Sequence, residues 1–456
     1  MAFARAAMRA ALLVAPAVAT AQPRRDTLRL TLPGAIATAL GRSIALAAAD
    51  VDRRAGGVAV LEAYSRFLPS LSAGALLATQ GGSTLLSSTA TVATDTRITG
   101  GAWTVSAGLN LFNGFRDQAA LRAALDARDA AELTLARARQ LVAYDVTQAF
   151  EQVVLDRQLI TVVEAALGLS TAREEQLVEQ VRVGTRAPPD LYRQRAQTAA
   201  DRVRLIAARN RERADRVALL LRLRLPPSTA LALEAPANAD TADVGPADAL
   251  ARRALAARTD LAAAEARVRG ADEQVRLAEG GWLPRVDLQL DAGAAGRYYD
   301  EARQGGTDVI TTPQRPLATQ LGAQRTVGLA LGASWTPWDR GRTRADVQRA
   351  RLAGERERLR AEELQLAILG EVDRAVADQD AARESLGAAR AGLSAAEEAF
   401  TAVSGRYDVG LATFVELAVA QGALVEARAQ EAAAQVNLRL QASVLRLVTG
   451  GAPAGP

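Results

Sequence analysis

The sequence predicts a mainly α-helical chain that contributes four strands to a membrane β-barrel and is built as an internal duplication. Three observations carry this expectation. Two stretches, Arg116 to about Arg182 and Arg342 to Arg406, run without proline. At 1.5 Å per residue, roughly 65 residues make a helix about 100 Å long, far beyond what a globular domain uses. Four segments of about ten residues alternate apolar and polar side chains, and the second half repeats the first at an offset of about 226 positions.

Composition narrows the chemistry before any motif is read. The chain has 456 residues, 49% of them hydrophobic and only 4% aromatic, with no His and no Cys. All 55 basic residues are Arg, since the sequence contains no Lys. Triads that need His, thiol nucleophiles, disulfides and ordinary zinc or haem sites are excluded. A Walker A loop or a Schiff base would need the missing Lys. The expectation is a protein that is not an enzyme, with no cofactor and no metal. A net charge of +4 without a dense basic stripe gives no reason to expect nucleic acid. No apolar run reaches 18 residues, so no transmembrane helix is expected.

The chain opens on a targeting pattern. Arg5 and Arg9 precede the apolar run Ala10 to Val18, and Ala19-Thr20-Ala21 ends it. This reads as a secretory signal peptide over residues 1–21. With no Cys at the cleavage site, no lipid anchor is expected.

The repeat sets the domain plan. The offset of about 226 pairs Val183 with Val409, Gly184 with Gly410, Asp190-Leu191 with Glu416-Leu417, and Phe112-Asn113 with Trp338-Asp339. Nearer the start, Phe67-Leu68-Pro69 matches Trp282-Leu283-Pro284 at about 215, so the second copy carries some eleven extra residues before Trp335. The expected units are 22–225 and 247–449, joined by a proline-bearing linker over 226–246 and followed by a tail over 450–456. Each unit reads helix, strand, strand, very long helix, turn, helix.

In the strands, Trp103, Val105, Ala107, Leu109 and Leu111 share one face, against Thr104, Ser106, Gly108 and Asn110. Val327, Leu329, Leu331, Ala333 and Trp335 repeat the pattern, as do Val286, Leu288 and Leu290; Leu71, Ala73, Ala75 and Leu77 show it more weakly. A sheet on a soluble core would alternate in the same way. The terminal Trp103 and Trp335, with lengths near ten residues, favour membrane strands. Four strands cannot close a barrel, and open edges cannot stand in lipid, so several chains must share one barrel. The loops Gly81 to Gly101 and Gly293 to Gln324 are then expected outside the cell. In the long helices, leucines, valines and alanines from Leu121 to Val153 form an apolar seam suited to coiled-coil packing. Each long helix ends at Val-Gly, where Gly184 and Gly410 suit a left-handed cap.

With these elements in order, the chain resembles the TolC-like outer membrane efflux protein family over about Leu28 to Thr449. The signatures are Phe67-Leu68-Pro69 and Trp282-Leu283-Pro284 before strands, Leu111-Phe112-Asn113-Gly114 and Trp338-Asp339-Arg340-Gly341 after them, and Arg406-Tyr407-Asp408-Val409-Gly410 at the second tip. The resemblance implies a homotrimeric α/β-barrel in the outer membrane lipid, its helices crossing the periplasm. It implies a passive exit duct that meets a periplasmic adaptor and an inner-membrane pump, of the resistance-nodulation-division or ATP-driven kind. Cargo would be small molecules or metal ions. An outer component of type I protein secretion looks alike, and a pore-less periplasmic coiled-coil scaffold is a reading from another class.

The resemblance also places a gate. Tyr407 matches the family's tip tyrosine and Asp190 the first-tip aspartate. The arginine expected at 412 is replaced by Ala412, while Arg186 occupies the related first-tip position. Of two acidic constriction positions, Glu416 is present and Val419 is not acidic. Arg186 is expected to pair with Glu416, or with Asp190 of a neighbour. Val183, Gly184, Val409 and Gly410 would form the turns that meet the adaptor.

Overall fold

A computed structural model describes residues 28–84, 94–234, 245–304, 307–308 and 314–451. The expected leader 1–21 lies outside these residues, as do 235–244 of the linker and 452–456 of the tail.

The first half runs β1 (Leu28–Leu30), α1 (Leu32–Arg42), α2 (Ile44–Ser65), β2 (Ser70–Thr84), β3 (Thr94–Phe112), α3 (Arg116–Arg182) and α4 (Pro188–Arg222). After β4 (Leu231–Leu233), the second half follows with α5 (Ala247–Ala257), α6 (Thr259–Glu279), β5 (Arg285–Gln304), β6 (Thr307–Asp308), α7 (Leu317–Ala323), β7 (Arg325–Ser334), α8 (Arg342–Asp408) and α9 (Phe414–Val448). The two long helices are 67 residues each and their return helices 35 each. Both hairpins thus keep one offset from first residue to last.

The leading helices and the linker differ from the sequence expectation. Each leading helix is broken in two, because Ser43 and Arg258 adopt extended backbone. Ser43 Oγ then accepts from Leu46 N–H at 3.4 Å and caps α2, a serine's usual work at a helix start. The linker holds strand β4, which pairs in parallel with β1.

The strands form one sheet in the order β2–β3–β5–β7, all antiparallel, with β6 paired to the end of β5. Register places Ala75, Trp103, Ala294 and Arg325 at one level, and Leu71, Ala107, Leu290 and Leu329 at another. The alternating apolar faces of all four strands therefore coincide. The opposite face carries Ser72, Ser106, Asp291 and Gly328 in register. Ten residues of β7 span about 33 Å, or about 25 Å upright at a 40° tilt, the height of an apolar membrane band.

The strands run longer than the alternation suggested. The β2–β3 ladder continues to Thr84 and Thr94, and β5 reaches Gln304. Residues 81–84, 94–101 and 293–304, expected in loops, are strand. Beyond Trp103 the alternation gives way to cross-strand polar pairs: Thr79 with Thr99 at 3.0 Å, Thr99 with Asp300 at 2.6 Å, and Arg97 with Glu301 at 3.3 Å. Such pairs stabilise a ladder as apolar ones do, but they leave no apolar period to read.

Helix follows strand through caps that repeat with the duplication. Asn113 Oδ1 accepts from Asp117 N–H at 3.3 Å, and Asp339 accepts from Gly341 N–H, Thr343 N–H and Thr343 Oγ. Those Thr343 donors hold the Asp339 carboxyl below its ordinary range.

Near the barrel the helices pack in the order α2–α3–α6–α8; farther down the order is α4–α3–α9–α8. Core clusters sit at the necks of the hairpins. Phe150, Leu219, Leu220 and Leu223 are wholly buried between α3, α4 and α1, and Ile368 and Val372 beside α5, α6 and α9. Each such side chain contributes about 1.5–3 kcal/mol by leaving water.

Candidate gate at the helical tips

Both long helices end in the same turn. Gly184 has φ 78° and Gly410 has φ 81°, a left-handed backbone that only glycine adopts without strain. Thr185 N–H donates to Gln180 C=O at 2.9 Å, and Leu411 N–H to Arg406 C=O at 2.7 Å. These six-to-one bonds close Schellman caps and leave Val183 and Val409 exposed at the extremity.

The return helices start differently. Pro188 opens α4 with its ring at the first helical position, where a missing N–H costs nothing. α9 opens with a capping box. Thr413 Oγ accepts from Glu416 N–H at 3.2 Å, and the Glu416 carboxylate accepts from Thr413 N–H at 2.6 Å and from Thr413 Oγ at 3.0 Å. The Thr413 backbone donor, then its hydroxyl, hold Glu416 below the ordinary glutamate range.

Tyr407 is buried between the two tips. The Arg186 guanidinium lies 4.5 Å from its ring centroid and that of Arg173 5.2 Å. Arg186 Nη2 also donates to Tyr407 C=O at 2.9 Å. Arg173 reaches Asp408 at 2.9 Å and Ser404 Oγ at 3.2 Å. Two cations on one aromatic ring, each also hydrogen-bonded, join the first hairpin to the second. Burial pushes the Tyr407 phenol above its ordinary range, against the two arginines. Its Oη has no hydrogen-bond partner among the described residues, so the ring carries the contact.

The structure thus brings Arg186 and Tyr407 together, with Asp190 close enough to act on the phenol. Within the chain Asp190 pairs with Arg193 at 3.7 Å. Glu416 is not brought to Arg186: its carboxylate caps its own helix, and Arg186 is held by the tyrosine. The expected Arg186–Glu416 contact is therefore absent within one chain. Sequence reading missed Arg173. Nothing distinguishes it from the other helix-face arginines until folding sets it beside Tyr407, although Asp408 lies inside the tip signature.

Higher up, buried charges tie the halves together. Arg439 gives Nε and Nη2 to one oxygen of Glu151 at 2.9 and 2.7 Å. Within the second half, Arg258 grips Asp260 at 2.6 Å and also Glu371. Arg137 bonds Leu447 C=O at 3.1 Å and lies 3.5 Å from Asp260.

A sheet with one apolar and one polar face, set on two helical hairpins whose ends latch together, defines a membrane channel that continues as a helical conduit. The chain belongs to the outer membrane efflux protein family, which it matches at residues 35–223 and 250–451. It is 27% identical over 419 residues to the outer membrane efflux protein BepC of Brucella suis, covering 91% of this chain and 84% of that one. Its fold is that of the outer membrane protein VceC of Vibrio cholerae, with TM-score 0.76 and 18% identity over 92% of this chain and 96% of that one. The CmeC outer membrane channel of Campylobacter jejuni matches with TM-score 0.79 and 14% identity over 93% and 87%. The protein is thus an outer membrane channel of TolC-like fold, with its helices in the periplasm.

Proposed function

We propose that three copies close into one duct, the passive outer membrane exit of a tripartite efflux pump fed by a periplasmic adaptor and an inner-membrane pump. The observation that carries this reading is a matched pair of edges left unpartnered among the described residues. In the sheet these are β2 and β7; in the helical layer beneath they are α2 and α8. Ile44, Val51 and Val58 stand exposed along α2 at heptad spacing, and Leu352, Leu359 and Leu366 along α8 at the same spacing.

Their heights agree. Val58, Val51 and Ile44 lie about 10, 21 and 32 Å below the barrel end of α2, and the three leucines about 15, 26 and 36 Å below that of α8. Two antiparallel heptad stripes at one level make a coiled-coil seam between copies. Closing it brings β7 of one copy beside β2 of the next, satisfying backbone groups that lipid would leave stranded at several kcal/mol each. The polar strand face then lines the lumen, which suits water-soluble cargo. Efflux, rather than protein secretion, follows the name of the relative BepC.

The chain has no cysteine, so a single engineered pair reports cleanly. Val58→Cys with Leu352→Cys is expected to give a covalent trimer on oxidation in cells. Monomer alone, from protein that still reaches the outer membrane, would reject the seam. Purified protein in planar bilayers is expected to form closed pores that open with an adaptor. A tag between Ser87 and Ser88 should be labelled on intact cells.

A further inference from the structure

Above the apolar band the sheet carries a short helix on its lipid-facing side. Side chains of α7 reach under the sheet's glycines: a Cβ on Gly101 would stand 3.2 Å from Leu317 and 3.3 Å from Leu321, and one on Gly296 2.9 Å from Leu317. Gly101 and Gly296 pair across β3 and β5, one step along the same face from Trp103 and Ala294. Trp103 Nε1 donates to Leu321 C=O at 3.3 Å.

Two side-chain amides hold the segment along the free edge of β5. Gln320 accepts from Arg297 N–H at 3.0 Å and donates to its C=O at 2.8 Å; Gln314 does the same for Tyr299 at 2.7 and 2.8 Å. Residues two apart on a strand edge are thus satisfied as a neighbouring strand would satisfy them. α7 is therefore fixed outside the barrel wall, not free to swing.

Its outward side consists of small exposed residues, Ala318, Thr319, Gly322 and Ala323. Arg315 and Arg325 bracket it, both exposed, and neither has an acidic partner within salt-bridge distance among the described residues. Arg325 lies on the apolar face of β7, level with Trp103, at the outer end of the membrane band. A cation there stands at headgroup depth, where arginine and tryptophan anchor a membrane protein. About 10 Å of helix separates the two arginines.

We infer that α7 with Arg315 and Arg325 is a docking site for a phosphorylated lipid of the outer leaflet, one phosphate to each guanidinium, its headgroup against the small-residue face of the helix. Arginine's planar fork matches phosphate oxygens. The site serves as an annular anchor and lies apart from the conducting path.

The opposite face supplies the control. Arg297 pairs with Gly100, one step from Gly296, so it points to the lumen at the same height. Full-length assembly extracted in detergent would be given diphosphorylated lipid A, or the same lipid stripped of phosphate, and retained lipid counted by native mass spectrometry. Wild-type protein is expected to retain the phosphorylated form preferentially. At about 1 kcal/mol per basic residue near a charged membrane surface, each arginine removed lowers retention about fivefold. The double variant Arg315→Gln with Arg325→Gln should lower it about 25-fold by the same measure, and Arg297→Gln should leave it unchanged. If the double variant fails to assemble, Arg315→Gln alone, outside any strand or helix, carries the test. Equal retention of the two lipids overturns the assignment, and so does a loss with Arg297→Gln as large as with the double change.

Discussion

The chain is tied across its two halves at two heights, and the ties differ in kind. Roughly 50 Å or more above the tips, by helical rise, the ties are largely buried ion pairs: Glu151 with Arg439, and Arg137 with Asp260. At the tips they are two arginines stacked on one tyrosine, with Arg173 also reaching the half-exposed Asp408. Breaking a buried pair strands a charge away from water, which is costly. At the tip a cation–ring contact is worth about 0.5–2 kcal/mol, and Asp408, which Arg173 also holds, is half-exposed, so parting there costs less. In the gate we propose, the upper ties act as a pivot and the lower ones as a latch, so the two hairpins part at the end without coming apart above.

The largest expected effect falls on the pivot. Glu151→Ala leaves Arg439 buried without its partner and should cost about 3–5 kcal/mol, read as a lowered melting temperature of the extracted assembly. A change of under 1 kcal/mol would erase the distinction between the two heights.

A second test concerns a carboxyl that works against the upper region. Asp156 on α3 has a side chain only 1% exposed; Arg211 lies 3.4 Å from one oxygen, and the other has no hydrogen-bond partner among the described residues. Burial, then the neighbouring Asp215, push it up from 3.8 to about 7. The folded chain holds this proton more tightly than the unfolded chain, so ionisation costs stability. Nothing is lost below about 4, the loss builds between there and about 7, and it is complete above that. Asp156→Asn should therefore raise stability by about 1–3 kcal/mol at pH 8 and by nothing near pH 4. A gain at pH 4 as large as at pH 8 would contradict the assignment.

The latch gives smaller numbers and a sharper contrast. Arg186→Ala should cost about 1–2 kcal/mol of closure, seen as more frequent opening in bilayers and entry of large antibiotics. Tyr407→Phe keeps the ring and should change closure by less than about 0.5 kcal/mol. Leakage in the phenylalanine variant equal to that of Arg186→Ala would show that the hydroxyl matters. Apart from closure, Glu416→Ala removes half of a capping box and should cost about 0.5–1 kcal/mol, visible as faster hydrogen exchange over the first turn of α9.

The sequence made the architecture legible because it is written in local periods. Proline-free runs, Val-Gly turns and strand alternation each occupy consecutive residues, and the repeat said them twice. The left-handed turns at Gly184 and Gly410 were legible because a Val-Gly pair ending a long helix is a local signal, whereas Tyr407 was named only through the family resemblance. The outer parts of β2, β3 and β5 escaped, since Thr79, Thr99 and Asp300 hold the ladder by pairing across strands. Arg173 escaped for a related reason: its partners lie more than 230 positions away, and a lone arginine on a helix carries no sign of that. Within one chain the pairing of Arg186 with Glu416 does not form, for reasons of competition. Thr413 sits three residues from Glu416 and claims the carboxylate first.

The equal helix lengths, 67 with 67 and 35 with 35, make the conduit a ruler with coarse graduations. One residue inserted into α3 alone would turn everything below it by about 100° and lower one tip by about 1.5 Å, misaligning Tyr407 with its arginines. Only seven residues added to all four helices together would preserve both the seams and the latch, lengthening the molecule by about 10 Å. Gene duplication thus locked the two halves into shared dimensions. The reach across the periplasm is quantised, and drift in one half is checked by the other.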